Sequence, residues 1–142
     1  MSDSRTLARR IAETMLKGEG TGPSWGVQIE DADVGYSKIS MTVSDVMLNS
    51  HKIAHGGHIF ALADTAFAYA CNSRNQATVA QSASIVFTSP VQNGERLEAE
   101  AREIALMGRS GVYSITVRGG DGRVVAQFQG QSRTVGGAIV EE

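Results

Sequence analysis

Asp64 is the group in this sequence whose placement most needs a chemical reason. It lies in the run Gly57-His-Ile-Phe-Ala-Leu-Ala-Asp-Thr-Ala-Phe-Ala-Tyr-Ala-Cys-Asn72, whose Ala and Leu content favours a helix and which holds no other Asp, Glu, Lys or Arg between Gly57 and Ala70. A carboxylate buried there without a partner costs several kcal/mol. It is therefore either a functional carboxylate or one bonded to Thr65 or a nearby backbone donor. Gly56 and Gly57 stand where this helix starts. The first helical turn has N–H groups without intrahelical partners, and the helix dipole adds partial positive charge, so an oxygen gaining negative charge is stabilised at that point. An acid–base or nucleophilic carboxylate and an oxyanion hole together make chemistry at a carbonyl.

Seven residues separate Gly57 from Asp64, nearly two turns, so Gly57, Ala61, Asp64, Ala68 and Cys71 share one helix face. That face has small side chains and leaves room for a ligand or a second chain. The rise between Gly57 and Asp64 is roughly 10 Å, too far for both to hold one carbonyl. Two helices packed antiparallel about a two-fold axis would bring the glycine end of one to Asp64 of the other, twice, which predicts a dimer with two shared sites. All three histidines, His51, His55 and His58, also fall at the helix entrance. His55 and His58 straddle the glycine pair without a recognised zinc spacing, so metal binding is not favoured. His51 and His58 read as polar loop and helix-start residues.

The elements that must position these groups follow from periodicity. Leu7, Ile11, Met15 and Leu16 recur at helical spacing before Gly18 and predict an amphipathic helix within residues 1–18. Gly18 to Ser24 reads as a loop. Trp25–Glu30 and Ser37–Val43 read as two strands of a hairpin, and Gly57–Asn72 as a helix with apolar residues on every face, which other structure must wrap. Thr78–Thr88, Arg96–Leu106, Gly111–Arg118 and Val124–Thr134 read as four strands in an antiparallel meander. The fold class is thus α+β, a curved antiparallel sheet around one long central helix, in a single domain over 1–142 with 136–142 as a flexible tail.

Composition excludes much else. The 142 residues give one domain, and 42% apolar with 20% charged residues is the make-up of a folded chain. A formal charge of -2 provides no field for nucleic acid or an anionic membrane surface. The single cysteine, Cys71, excludes an internal disulfide. The start lacks the pattern of a signal peptide, and no apolar run reaches the roughly 20 residues that span a bilayer. The expectation is a soluble, cytoplasmic protein.

Asn49, then His55-Gly56-Gly57, then Leu62-Ala63-Asp64, with Phe87 before Pro90 and Gly111-Val-Tyr113, resembles the hotdog-fold acyl-CoA thioesterases of the phenylacetic-acid-degradation (PaaI) type. The similarity runs from the N-terminal helix to near Val135. It implies a hotdog sheet around the helix, dimers joined edge to edge, a homotetramer, and hydrolysis of acyl-CoA without metal or redox cofactor. It further implies that Asp64 is the general base or nucleophile, that Gly56 and Gly57 polarise the carbonyl, that Asn49 positions water or thioester, and that His55 orients the carbonyl. Ser82, in the strand after the helix, stands near a further family site. Arg109, Ser110, Gly111 and Arg133 are where the family holds coenzyme A. Phe60 and Thr65 join them as substrate-binding candidates, and the family name favours aryl-acetyl groups. Two other readings remain at this stage: a hotdog dehydratase or hydratase, and an acyl-CoA-binding module without turnover.

Overall fold

Residues 3–142 are described by a computed structural model. Helix α1, Asp3–Gly18, buries Ala8, Ile11 and Ala12, with Asp3 in its first turn and Lys17 in its last, as the helix dipole favours. Residues 1 and 2 of the expected helix lie outside the described residues. The stretch expected as a loop contains a four-residue helix α2, Thr21–Ser24, closed by Trp25 N–H to Thr21 O at 2.9 Å and Val27 N–H to Gly22 O at 3.0 Å. Too short for periodicity to reveal, it also delays the first strand: β1 is Gln28–Asp33, three residues later than expected. Strand β2, Tyr36–Thr42, returns through Gly35 at φ +67°, a backbone that glycine adopts without strain.

A 3-10 turn at Asp45–Met47 leads to helix α3, Gly56–Cys71. Then follow β3, Thr78–Phe87; β4, Arg96–Met107; β5, Ser110–Arg118; and β6, Val124–Thr134. The six strands form one sheet, paired antiparallel throughout, in the order β1-β2-β4-β5-β6-β3. Only β4-β5-β6 is a meander. The expected four-strand meander fails at β3, which pairs along its length with β6 and leaves the sheet edge to be crossed by residues 88–95. That crossover is tied to the helix entrance, with Ala54 N–H to Val91 O at 2.8 Å and Gly94 N–H to Val43 O at 2.9 Å.

The sheet wraps α3. Strand β5 turns Gly111, Tyr113, Ile115 and Val117 inward at period two, and β4 adds Leu97, Ala99 and Ala101. Phe67 of α3 fits against Gly130, where an added Cβ would come within 2.7 Å of its ring, and packs on Tyr113 and Phe128 at ring separations of 5.4 and 5.9 Å. Asn72 stops the helix and starts β3: its side-chain amide donates to Ala68 O and Thr78 O and accepts from Thr78 N–H, at 2.8 to 3.0 Å. In residues 136–142, the stretch expected as a flexible tail, Ile139 and Val140 N–H donate to the Asn75 carboxamide oxygen and Glu141 O accepts from Arg10. Among the described residues no helix is long and apolar enough to cross a membrane.

Candidate active site

The start of α3 is built by His55. Its backbone is extended (φ -67°, ψ 135°), its N–H donates to Met47 O at 2.7 Å, and its Nδ1 accepts from Gly57 N–H at 2.9 Å. His55 is thus the N-cap, and its ring proton sits on Nε2. This corrects the expected role of Gly57: its N–H is already bonded. His58 and Ile59 N–H reach His55 O at 3.0 and 3.4 Å. Among the described residues no group accepts from the Gly56 N–H, so the first turn offers a free backbone donor there. An added Cβ on Gly56 would lie 3.0 Å from the Phe87 ring, so only glycine keeps this approach open.

Asn49, Gly56, Ile59, Phe87 and the crossover residues 88–91 line a cleft of ≈ 410 Å³. The Asn49 Oδ1 accepts from His51 N–H at 2.9 Å and Ile53 N–H at 3.4 Å. Those bonds brace the loop and leave its NH₂ donors uncommitted. Asn49 and Gly56 thus line one cleft, with His55 capping the helix start next to Gly56.

Asp64 lies on the flank of α3 with Ala61, Thr65 and Ala68, all half-buried. No protein group donates to it among the described hydrogen bonds, and burial raises its pKa above the ordinary carboxylate value. The alternative of a carboxylate bonded to Thr65 falls away, since the Thr65 hydroxyl donates to Ala61 O at 2.7 Å. Cys71, placed on the same face by spacing, is buried, and burial pushes its thiol up to about 12. Phe60 leans edge-on against Phe128 at 5.1 Å. From Gly56 to Asp64 the helix rises about 12 Å.

The remaining candidates lie elsewhere in this chain. Arg109 and Ser110 line a small cavity with Cys71, Arg74, Tyr113 and Ser132 at the other end of α3, about 22 Å of helix from Gly56. Arg133 pairs with Ser110 across β5 and β6, and Gly111 must be glycine because a Cβ would meet Ser132 Oγ at 2.8 Å. Both arginines are exposed. Ser82 is exposed on β3, just past a bulge at Gln81. Among the described residues no three His, Cys, Asp or Glu side chains converge on a metal position.

Residues 51–126 match the family model described as the thioesterase superfamily. The chain is also 40% identical over 131 residues to the acyl-coenzyme A thioesterase PaaI of Escherichia coli (strain K12), across 92% of this chain and 94% of that protein. The chain belongs to the thioesterase superfamily. The structure of the E. coli PaaI protein from the phenylacetic acid degradation operon superposes with a TM-score of 0.92, covering 94% of this chain and 97% of that one at 38% identity. A mutant of the phenylacetic acid degradation protein PaaI from Thermus thermophilus gives 0.79, covering 82% and 100% at 32% identity. The hotdog fold, the PaaI-type resemblance and the reading as a thioester hydrolase are borne out.

One residue beside the Asp64 flank, Glu19, and the packing of a second, His58, expected only as a polar helix-start residue, escaped the sequence reading. Glu19, in the α1–α2 connection, interacts electrostatically with Asp64 and faces the buried Tyr69 hydroxyl. The His58 ring lies tilted against Trp25, centroids 4.7 Å apart, and burial followed by the neighbouring His55 lowers its pKa. Neither contact has a local signal, because residues 19 and 25 reach α3 only through the packing of α1.

Proposed function

We propose that this thioesterase hydrolyses acyl-CoA in sites shared by two copies of the chain, Asp64 coming from one and the Asn49–His55–Gly56 group from the other. The observation that carries this reading is the half-buried, unbonded Asp64 carboxylate about 12 Å along one helix from the free Gly56 N–H. Strand β3 supports the pairing: it has ten residues without a charge, pairs with no strand but β6 among the described residues, and exposes Val79, Val86 and Phe87. An edge of that kind is a template for another strand. A partner bound there would close the small-residue flank of α3 and place Ser82 and the Arg109–Ser110–Arg133 group near the facing chain's site. Two such dimers form the homotetramer.

In this mechanism the thioester oxygen accepts from Gly56 N–H, which draws electron density from the carbonyl carbon. Asp64 either removes a proton from water, whose oxygen then adds to that carbon, or adds to it directly to give an anhydride that water afterwards cleaves; in both routes the C–S bond breaks, the CoA thiolate takes up a proton derived from water, and the free acid leaves with Asp64 restored. The chemistry needs no metal or redox cofactor, so activity should survive exhaustive chelation, and its loss would overturn that part of the proposal. Arg109 and Arg133 offer cations to the CoA phosphates. Phe60 and Phe87 favour an aryl-acetyl acyl group over a long chain. A dehydratase is not favoured, since the His55 Nδ1 is occupied as a cap and no histidine is paired with a carboxylate among the described residues.

The test is thiol release from phenylacetyl-, hydroxyphenylacetyl-, benzoyl- and hexanoyl-CoA; recovery of every ester intact overturns the enzyme reading. Co-expression of Asp64→Ala and Asn49→Ala chains tests the sharing. Random pairing gives heterodimers with one intact site, about a quarter of wild-type activity. Activity no higher than that of either variant alone rules shared sites out.

A further inference from the structure

One wall of the cleft at Asn49 and Gly56 belongs to no helix or strand. Residues 88–91 form it, and Phe87, the last residue of β3, rests its ring against Gly56 just before them. Such a segment keeps its place only through bonds made from outside it. Arg123, the residue before β6, makes two: Nε donates to Ser89 Oγ at 2.9 Å and Nη2 to Pro90 O at 2.8 Å, and both of these residues line the cleft. The guanidinium is held in turn by Glu95, which accepts from Nη2 at 3.0 Å and lies 3.0 Å from Nη1, and by Asp121, which accepts from Nη1 at 2.9 Å. Glu95 also takes the Gln92 N–H at 2.8 Å, farther along the same crossover. A Cβ on Gly119 would come within 2.7 Å of Nη1, so a side chain in the β5–β6 turn would push the guanidinium off these partners.

We propose that Arg123 is a positioning residue for the substrate cleft: through Ser89 and Pro90 it fixes the 88–91 wall, and with it the width left for the acyl group beside the Gly56 N–H. This rests on that cleft being the acyl site. The wall is tied at its ends by Thr88 N–H to Val125 O at 2.9 Å and by Ala54 N–H to Val91 O at 2.8 Å. Between those ties, among the described residues, Arg123 is the one partner from another element that bonds Ser89 and Pro90. Ion pairs this exposed add little to stability, so the contribution of Arg123 is geometric. A guanidinium is a planar fork whose donors point in fixed directions, and here it spans a hydroxyl, a carbonyl and two carboxylates at once. A lysine ammonium, a point charge on a flexible stem, cannot hold that set together.

The experiment compares full-length wild type with Arg123→Lys, which keeps the charge and loses the fork. Hydrogen exchange at the Ala54, Thr88 and Gln92 amides, whose bonds tie the crossover, should quicken by about tenfold or more relative to amides of β5. The ratio of kcat/KM for phenylacetyl-CoA to that for hexanoyl-CoA should fall by about fivefold or more, because a slack wall fits a rigid ring less well while a flexible chain adapts. A merely structural role would lower the folded fraction, scale both substrates alike and leave that ratio unmoved. Glu95→Gln leaves Arg123 and the cleft lining in place but removes the charge that holds the guanidinium. It should move both readouts in the same direction, and it provides the test should Arg123→Lys not fold. A ratio within about twofold of wild type, or unchanged exchange at these amides, in a folded variant overturns the proposal. If wild type hydrolyses neither ester, the enzyme reading fails and exchange alone decides: quickened exchange upholds Arg123 as the clamp of the cleft wall and unchanged exchange overturns it, so the two failures are distinguishable.

Discussion

On one side of α3, Ile59, Leu62, Ala63, Ala66, Phe67 and Ala70 are buried in the sheet of their own chain; on the other, Ala61, Asp64, Thr65 and Ala68 stay half exposed. The first side holds large side chains matched to small ones across the gap, as Phe67 is to Gly130. The second holds small side chains and one carboxylate. A surface helix normally turns a broad polar face to water. Here the less buried side is nearly as apolar as the core side, so its surroundings are completed by something besides solvent. Stability and chemistry are thus separated on one element, and substitutions on the two sides should fail in different ways.

The largest effect is expected from the closed side. Phe67→Ala removes a ring packed on Tyr113 and Phe128 and should lower unfolding free energy by about 3–5 kcal/mol in urea titration. Folded protein that remains should still turn over. On the open side, Asp64→Asn should lower kcat by about 100-fold or more with folding retained, a barrier increase of about 2.7 kcal/mol. Turnover within about threefold of wild type would remove Asp64 from the chemistry and erase the contrast. The acid limb of the wild-type profile belongs on the same side: activity should fall as Asp64 protonates, at a pH above the ordinary aspartate range because burial raises it.

Much of this contrast is legible in the sequence, and the reasons are local. A carboxylate alone in an Ala-rich run identifies itself, and the interval from the glycine pair to Asp64 sets a distance because helix rise is constant. The expected bounds of β6 agree with the observed ones, and those of α3 lie within one residue at each end. What escapes depends on contacts between distant residues. The placement of β3 beside β6, and not β4, is decided by register over a crossover. The capture of Gly57 N–H by the His55 ring depends on a rotamer, and the seating of the Glu19 carboxyl against Gly22 on how α2 follows α1. Asn75 seizing the tail at residues 139 and 140 joins positions 64 and 65 apart, which no periodicity encodes.

His55 lies where the two sides meet, and a smaller effect is expected there. Replacing it with alanine frees Gly57 N–H and loses the cap, at about 0.5–1 kcal/mol of stability. If His55 served only as a cap, His55→Asn, which can also accept from the first turn, should recover both stability and rate. Recovery of stability without rate would assign the His55 Nε2 proton to the thioester. Urea titration beside steady-state rates separates these outcomes.

The smallest effect sharpens the comparison most, because only its sign matters. Burial raises the pKa of Asp64 in the folded chain above its value when unfolded, so between the two values the folded state binds more protons. Stability then falls as pH rises through that window, and the cost of the charge is fully present above the folded pKa. Asp64→Asn carries no such cost. The variant should therefore be the more stable protein at neutral pH, with the difference shrinking as pH falls and vanishing below the unfolded value near 3.8. A structural carboxylate held by donors would behave in the opposite way, its pKa depressed and its loss destabilising at neutral pH. Urea titrations of both proteins from neutral to acid pH decide between these signs. An Asp64→Asn chain less stable than wild type at neutral pH would mean that donors reach Asp64, and that the open side of α3 is held together by the residue assigned here to chemistry.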